Sequence, residues 1–297
     1  MLNNIIKNNT NGVIEDIIIN RNFRFYNNLT TDTIIKDKYE IVQSGIGDIL
    51  LIYLLINNNL LQCPIFININ VYIKNLYSLN NPIQNFIFKL ELLTKLKSNN
   101  TIIFYNDTNE TCTNNWQGML NNKILDYKSL HKYFNFNNIF KEDYIIFHTK
   151  CRFISNFDYN KLKIELKNFY KNFKSKYKII LLGERTINGK DGSEVQIHKI
   201  TTIYNELLEL KNNNDILDLT KYNIYDNLNF KDYETDMELI HYAKLNILVG
   251  HGGQYCNCFC FGEKTVVYAI PELNLIPNPL VETVYNINLL FNILSNI

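Results

Sequence analysis

The segment from Ile247 to Pro271 constrains the fold of this chain more than any other stretch. An apolar run over residues 247–249 meets three glycines, a helix-length segment follows, and a second apolar run covers residues 265–270. This order predicts a strand, a tight turn, a helix and a strand, which together form a parallel βαβ unit. The turn of such a unit lies at the carboxyl end of its first strand, where N–H groups of the next helix attract an anion. We therefore expect a ligand-binding edge here.

The same alternation of strands and helices is predicted over most of the chain. Strands are predicted at residues 39–43, 64–73, 101–105, 144–147, 178–182 and 215–219, with an edge strand at 13–19. Helices are predicted at residues 49–56, 82–97, 127–134, 159–173, 195–210, 233–245 and 281–294. A basic loop, residues 148–152, separates the strand at 144 from its helix.

This pattern predicts an α/β fold class with two Rossmann-like domains that face a cleft. The N-terminal domain would span residues 1–141, with residues 1–38 peripheral. The C-terminal domain would span residues 142–297, and its last helix could cross back onto the first domain.

Composition excludes several classes of protein. The chain has 297 residues, is 46% hydrophobic and carries a formal net charge of +1, which gives no general attraction to nucleic acid. It has no apolar run of about 18 residues that would span a membrane, and its N-terminus lacks the apolar core of a signal peptide. Six cysteines without paired spacing are expected to be reduced thiols. We expect a cytoplasmic protein without a transmembrane segment.

Two sets of motifs resemble glycosyltransferases of the GT-B fold. The strand end Gly183-Glu184-Arg185, the segment 215–220 and the glycine turn after residues 243–250 look like the C-terminal half of these enzymes. The layout, with the turn Gly45-Ile46-Gly47-Asp48, is similar to the heptosyltransferase family. The resemblance implies transfer of a sugar from a nucleotide-sugar donor to an acceptor hydroxyl, independent of a metal. It also implies that the N-terminal domain is on the acceptor side and that the C-terminal domain binds the nucleotide sugar.

A second GT-B family carries a related signature. His251-Gly252-Gly253, followed by Asn257 and Phe259, resembles the family of plant xylosyltransferases and EGF-domain N-acetylglucosaminyltransferases. Heptosyltransferases instead have an Asp-Thr/Ser-Gly turn and a Lys-x-Trp motif, and the nearest basic groups to the latter here are Lys150 and Arg152. These departures argue against a heptose donor.

The donor diphosphate requires oriented N–H groups and fixed cations. The turn with Gly252, Gly253 and Gln254 can supply the N–H groups, although such glycines also serve ordinary turns that need positive φ. The predicted cations follow neighbouring strands and are Lys150, Arg152 and Arg185. Each of them could equally be a solvated surface residue. The resemblance further implies that Glu272 accepts hydrogen bonds from the ribose hydroxyls.

On the acceptor side, a base must remove the proton of the attacking hydroxyl. Asp48 is the main candidate, by resemblance to the aspartate of the heptosyltransferase turn, and the alternative is that it N-caps the following helix. His251 and His148 are alternative bases. The turn residues Ser44, Gly45 and Gly47 would line the acceptor cleft.

Cys256, Cys258 and Cys260 could suggest a metal, but on a helix their spacing spreads the thiols over different faces. We therefore predict buried small side chains, no metal site and no cofactor besides the nucleotide-sugar co-substrate. The acceptor could be a glycan, a protein or a small molecule. Two other functions stay open: a GT-B-like sugar-nucleotide epimerase, and a non-catalytic α/β binding or assembly protein.

Overall fold

The structure is a computed structural model that describes residues 12–26, 39–40, 45–61, 64–69, 82–98, 101–106, 125–154, 157–186, 198–221, 229–250, 253–273 and 278–297. Its helices are α1 (12–20), α2 (Ile46–Asn57), α3 (Pro82–Lys95), α4 (Tyr159–Tyr170), α5 (Tyr204–Leu207), α6 (Phe230–Tyr242), α7 (Gly253–Phe261) and α8 (Ile287–Ser295). Short 3₁₀ helices cover Tyr127–Tyr133, Leu208–Asn212 and Pro271–Leu273. The fold is α/β, as the sequence predicts.

The first half builds a parallel sheet. Its strands are β1 (Arg24–Tyr26), β2 (Tyr39–Glu40), β3 (Ile65–Asn68) and β4 (Ile102–Tyr105). Their order is β1-β4-β3-β2, and all three pairs are parallel. The predicted edge strand at 13–19 is wrong, because this segment is helix α1. Ile14 and Ile18 are buried one turn apart while Val13 and Ile19 are exposed, which is helical periodicity.

The second half builds a six-stranded parallel sheet. Its strands are β5 (Tyr144–His148), β7 (Lys178–Leu182), β9 (Ile216–Asp218), β10 (Leu245–Val249), β11 (Thr265–Tyr268) and β12 (Val281–Val284). The order is β12-β11-β10-β5-β7-β9. Counted along the chain from β5, this is the order 3-2-1-4-5-6 of doubly wound nucleotide-binding sheets. The strand order reverses between β5 and β10, and this topological switch point is where such sheets bind ligands.

Each face of the second sheet is covered by its own helices. Ile145 and Phe147 of β5 point into the core formed with α4, α5 and α8, while Tyr144 and Ile146 point into the core formed with α6 and α7. The alternation follows from the two-residue period of a strand. Polar side chains begin these helices: Asp158 caps α4, Asn229 caps α6 and Asn286 caps α8.

The two halves share one hydrophobic core. Helix α2 packs against α7, and its residues from Ile49 to Leu55 are all buried. The same continuous cluster contains residues of α3, β3 and β4 from the first half and of α6 and α7 from the second. An ion pair between Lys95 and Glu234, with 2.6 Å between Nζ and Oε1, also joins α3 to α6. The halves are therefore packed together through their helices.

Two predicted helices are partly strands. The segment predicted as a helix at 195–210 begins with β8 (His198–Thr202), which pairs antiparallel with β6 (Lys150–Ile154). Its run Ile200-Thr201-Thr202 is β-branched and so favours a strand. The segment 281–294 is strand β12 followed by helix α8, for the same reason at Val281, Thr283 and Val284. Among the described residues, no helix is long and apolar enough to cross a membrane.

Helix α8 packs on the second sheet. Its Phe291 stacks on Phe169 of α4 with 4.1 Å between ring centroids, and its buried Leu290 and Leu294 belong to the core on that face. In the described part of the chain these contacts place the helix against the second half. The predicted short helix near 127–134 is confirmed as a 3₁₀ helix.

Candidate functional site

Strand β6 crosses directly over the carboxyl ends of the second sheet. Gly250, at the end of β10, has a φ of +81°, and a Cβ added to it would lie 2.6 Å from the Arg152 carbonyl oxygen. Gly183, at the end of β7, has a φ of +117°, and a Cβ there would lie 2.5 Å from Thr149 Oγ1. Both positions thus require glycine for its backbone conformation and for the close approach of Thr149 or of Arg152 in β6.

Lys150 and Arg152 share one face of β6. The predicted basic loop is wrong, because both residues lie in a strand, but residues two apart in a strand point the same way. Cys151 and Phe153, on the opposite face, are buried in the core with α4 and α5. The two predicted cations therefore do face the same side of the carboxyl edge.

Lys150 has an acidic partner within the protein. Its Nζ lies 3.9 Å from Glu184 Oε2, and both side chains are largely buried. The backbone carbonyl of Glu184 accepts hydrogen bonds from Thr149 Oγ1 at 2.7 Å and from Thr202 Oγ1 at 3.0 Å. The charge of Lys150 is thus partly compensated before any ligand binds.

Arg185 belongs to a polar cluster at the ends of β7 and β9. Its Nε donates to Thr220 Oγ1 at 2.7 Å, and its guanidinium lies 3.5 Å from Asp218 Oδ2 and above the Tyr204 ring. Burial acts to raise the pKa of Asp218, but hydrogen bonds from Thr220 and Tyr204 and the charge of Arg185 outweigh burial and lower that pKa. Asp218 therefore stays ionised and orients Arg185, whose side chain is 39% exposed.

Helix α2 packs against α7, and the Arg152 backbone lies at the end of β10, beside the switch point. Burial and, next, the Asp48 carboxylate raise the pKa of the Cys256 thiol to about 12, while Arg152 acts to lower it. The charges of the α2 residue Asp48 and the β6 residue Arg152 therefore both act on the same sulfur of α7.

Asp48 does not cap its helix as the N-cap residue. Helix α2 begins at Ile46 with Gly45 at the N-cap, so Asp48 is the third helical residue. A Cβ added to Gly45 would lie 2.7 Å from Asp48 Oδ2, which means that the carboxylate folds back over Gly45. The buried Gly47 lies between them in this turn. An acidic side chain at this position still interacts favourably with the helix N-terminus.

The α7 residues of the second resemblance hold the helix in place. Gln254 Oε1 accepts from Asn257 Nδ2 at 3.3 Å, and Asn257 Oδ1 accepts from the Tyr233 hydroxyl of α6 at 3.1 Å. Phe259 is fully buried, and its ring packs edge-on against Tyr127. Asn257 and Phe259 therefore have packing roles, while Gln254 lies in the first turn of α7, after the helix starts at Gly253.

Histidine 148 is closed to substrate. His148 is 1% exposed, its Nε2 lies 3.3 Å from Cys258 Sγ, and burial lowers its pKa to about 4. The alternative that it acts as a base is wrong. The predicted helix around the three cysteines is confirmed as α7, and burial raises the pKa of Cys256, Cys258 and Cys260 alike.

The other predicted site residues differ in position. Glu272 is exposed on the 3₁₀ turn that follows β11, at the same carboxyl edge. Ser44, His251 and Gly252 lie outside the described residues. Sequence reasoning missed Glu184, Asp218, Thr220 and Tyr204 as partners of the cations. The polar sequence Asp218-Leu219-Thr220 at the end of a predicted strand was the available signal for two of them.

Comparison with known proteins identifies no family for this chain. No protein-family model matches the chain, and no match was found among curated proteins or among solved structures.

Proposed function

We propose that this protein is a GT-B-type glycosyltransferase that moves a sugar from a nucleotide-sugar donor to an acceptor hydroxyl. The observation that carries the proposal is the packing of α2 against α7, with the Arg152 backbone at the end of β10, at the switch point of a sheet with the order 3-2-1-4-5-6. Helix N-termini and an arginine attract a diphosphate, and Asp48 lies in the first turn of α2.

The donor would lie along the carboxyl edge. The N–H groups of the first turn of α7, at Gly253 and Gln254, would bind the diphosphate together with Arg152. Neighbouring strands lie about 4.8 Å apart, so the ends of β10 and β7 are about 10 Å apart, a distance that a nucleoside diphosphate can span. Arg185, oriented by Asp218, and Lys150 would then lie at the far end of the ligand.

In the transfer step, Asp48 would accept the proton of the acceptor hydroxyl as its oxygen attacks the anomeric carbon. The bond from that carbon to the diphosphate oxygen breaks, and the electron pair leaves with the nucleoside diphosphate. The α7 N–H groups and Arg152 stabilise the negative charge that develops on the leaving group. Glu272, exposed on the 3₁₀ turn after β11, would accept hydrogen bonds from the ribose hydroxyls. His251, which follows β10 in the chain, is the alternative base.

Nucleotide binding tests the proposal. Thermal unfolding would be followed with UDP-, GDP-, ADP- and CMP-sugars, since a ligand that binds only the folded state raises the unfolding temperature. Arg152→Ala should weaken binding of the preferred nucleotide about 10- to 100-fold, because a charged hydrogen-bond partner is lost. Lys161→Ala, an exposed cation on α4, is the matched control and should bind like the wild type. Absence of stabilisation by all four nucleotide classes would contradict the proposal.

A second candidate is a non-catalytic α/β binding protein that keeps this site. Two observations favour it: Lys150 and Arg185 already pair with Glu184 and Asp218, and the Asp48 carboxylate folds back over Gly45. Asp48→Asn separates the two functions, because it keeps the side-chain shape and removes the base. For a glycosyltransferase, this variant should bind the nucleotide sugar normally but lose its slow hydrolysis to free sugar. A wild-type protein that binds the donor and never releases sugar would favour the binding protein.

A further inference from the structure

We propose that His131, His241 and Glu263 form a binding site for a divalent transition metal of the zinc class at the C-terminal end of α7. One possible ligand atom from each of the three residues lies within 4.8 Å of the others. Two imidazoles and a carboxylate are a donor set that suits Zn²⁺, with water as a fourth ligand. The site is separate from the proposed sugar-transfer site, which lies at the other end of the helix.

The three residues come from three separate elements. His131 lies on the 3₁₀ helix Tyr127–Tyr133, His241 lies in the last turn of α6, and Glu263 follows the end of α7. The 3₁₀ helix precedes the second sheet in the chain and packs on both α2 and α7. A metal at this place would tie the segment between the two sheets to the helices of the second half.

Hydrogen bonds orient both imidazoles. His131 Nε2 lies 3.0 Å from the Cys260 carbonyl oxygen, and His241 Nδ1 lies 3.1 Å from the Phe261 carbonyl oxygen. A carbonyl can only accept, so in the metal-free protein each of these nitrogens carries its proton, and His241 Nδ1 also lies 3.6 Å from Glu263 Oε1. The hydrogen bonds hold both rings beside the carboxylate, and a metal that binds His241 through Nδ1 would take the place of that proton.

Aromatic rings restrict the same imidazoles. Phe136 stacks on His241 with 4.7 Å between centroids and 22° between planes, and Phe261 stacks on His131 at 5.9 Å and 19°. The two imidazoles themselves meet edge to face at 4.9 Å. Rings that are already oriented lose little conformational freedom when they bind a metal.

The charges around the cluster favour a cation. The last carbonyls of α7 form the negative end of its dipole, and Glu263 adds a carboxylate beside them. Lys128 already lies there, with its Nζ 2.6 Å and 2.7 Å from the two Glu263 oxygens. The Lys128 side chain is 50% exposed, so it can turn into solvent when a metal takes over the carboxylate. We therefore expect Lys128 to compete with the metal for Glu263.

Cobalt and zinc titrations of the full-length protein test the site. After treatment with a chelator, the protein should bind one equivalent of Co²⁺ and show the visible absorption bands of a tetrahedral ion without a thiolate-to-cobalt charge-transfer band. Zn²⁺ should displace the cobalt and raise the unfolding temperature. His131→Ala and His241→Ala should each weaken binding at least about 100-fold, since loss of even an outer-shell partner costs about 10- to 100-fold.

Two further variants keep the test decisive if a histidine variant does not fold. Glu263→Gln changes a half-exposed side chain and should weaken Co²⁺ binding, whereas the matched control Glu282→Gln, at an exposed position of strand β12, should not. Lys128→Met should tighten binding, because it removes the competing cation. The proposal is overturned if the wild type gives no tetrahedral Co²⁺ spectrum, or if all variants bind as the wild type does; the two histidines would then only cap the carbonyl end of α7. Nucleotide binding is measured separately, so the two proposals can fail independently.

Discussion

The two ends of helix α7 have opposite chemistry. It begins at the switch point of the second sheet, where the charges of Asp48 and Arg152 act on Cys256, and the N–H groups of its first turn favour an anion. Its last carbonyls accept from His131 and His241, beside the carboxylate of Glu263, and this end favours a cation. A helix of nine residues can therefore serve two different ligands, because its backbone dipole already distinguishes the ends.

The largest expected effect concerns the end of β10, next to the first turn of α7. Gly250→Ala forces a residue with a side chain into a φ of +81° and brings its Cβ within 2.6 Å of the Arg152 backbone. We expect a loss of about 3 kcal/mol or more in the free energy of unfolding, measured by denaturant titration. Gly12→Ala is the matched control, since a Cβ at Gly12 meets nothing within 4 Å, and it should change stability little. Equal losses for both variants would contradict the close packing of β6 over β10.

The second prediction concerns His148, which lies beneath the middle of α7. Burial lowers its pKa from 6.5 to about 4, so between these values the unfolded chain binds a proton that the folded chain does not. The folded state should have its full stability above about pH 6.5 and lose about 3 kcal/mol as the pH falls towards 4. His148→Leu should remove this part of the pH dependence.

The measurement is urea unfolding at a series of pH values. The difference between wild type and His148→Leu should change with pH only in this window, whatever the absolute stability of the variant. A difference that stays constant from pH 7 to pH 4 would mean that His148 titrates in the folded state much as it does in water.

The smallest expected effect concerns the Lys128–Glu263 ion pair at the C-terminal end of α7. Without metal, Lys128→Met should change the free energy of unfolding by less than about 1 kcal/mol, because the Lys128–Glu263 ion pair is half exposed on both sides. Thermal unfolding in the presence of a chelator measures this. A much larger loss would mean that the ion pair itself, rather than a metal, holds the 3₁₀ helix against α7.

The two ends of α7 also differ in how far the sequence alone reveals them. The first is visible because one local pattern, an apolar strand followed by glycines, encodes both the turn and the helix start. The second depends on residues 131, 241 and 263, which come together only through the packing of three elements. No spacing rule connects them, so a prediction from sequence missed the cluster.

The same distinction explains the errors in the fold. Strand β5 and helix α7 follow from local periodicity, and both were predicted within a few residues. Strand β8 pairs with β6 across about 50 residues of chain, so the β-branched run Ile200-Thr201-Thr202 becomes a strand through a distant partner. The sequence wrongly predicts a strand at helix α1, because its apolar residues are at 13, 14, 17, 18 and 19. Over so short a stretch these positions fit both the two-residue period of a strand and the 3.6-residue period of a helix.

The burial of α2 between the two halves limits how the molecule can move. A helix whose residues from Ile49 to Leu55 are all buried would expose a large apolar surface if the halves separated like a hinge, at a cost of tens of cal/mol per Å². Small sliding motions between packed helices need no such exposure. Exchange of bulky ligands at the first turn of α7 should therefore depend on local opening at the sheet edge.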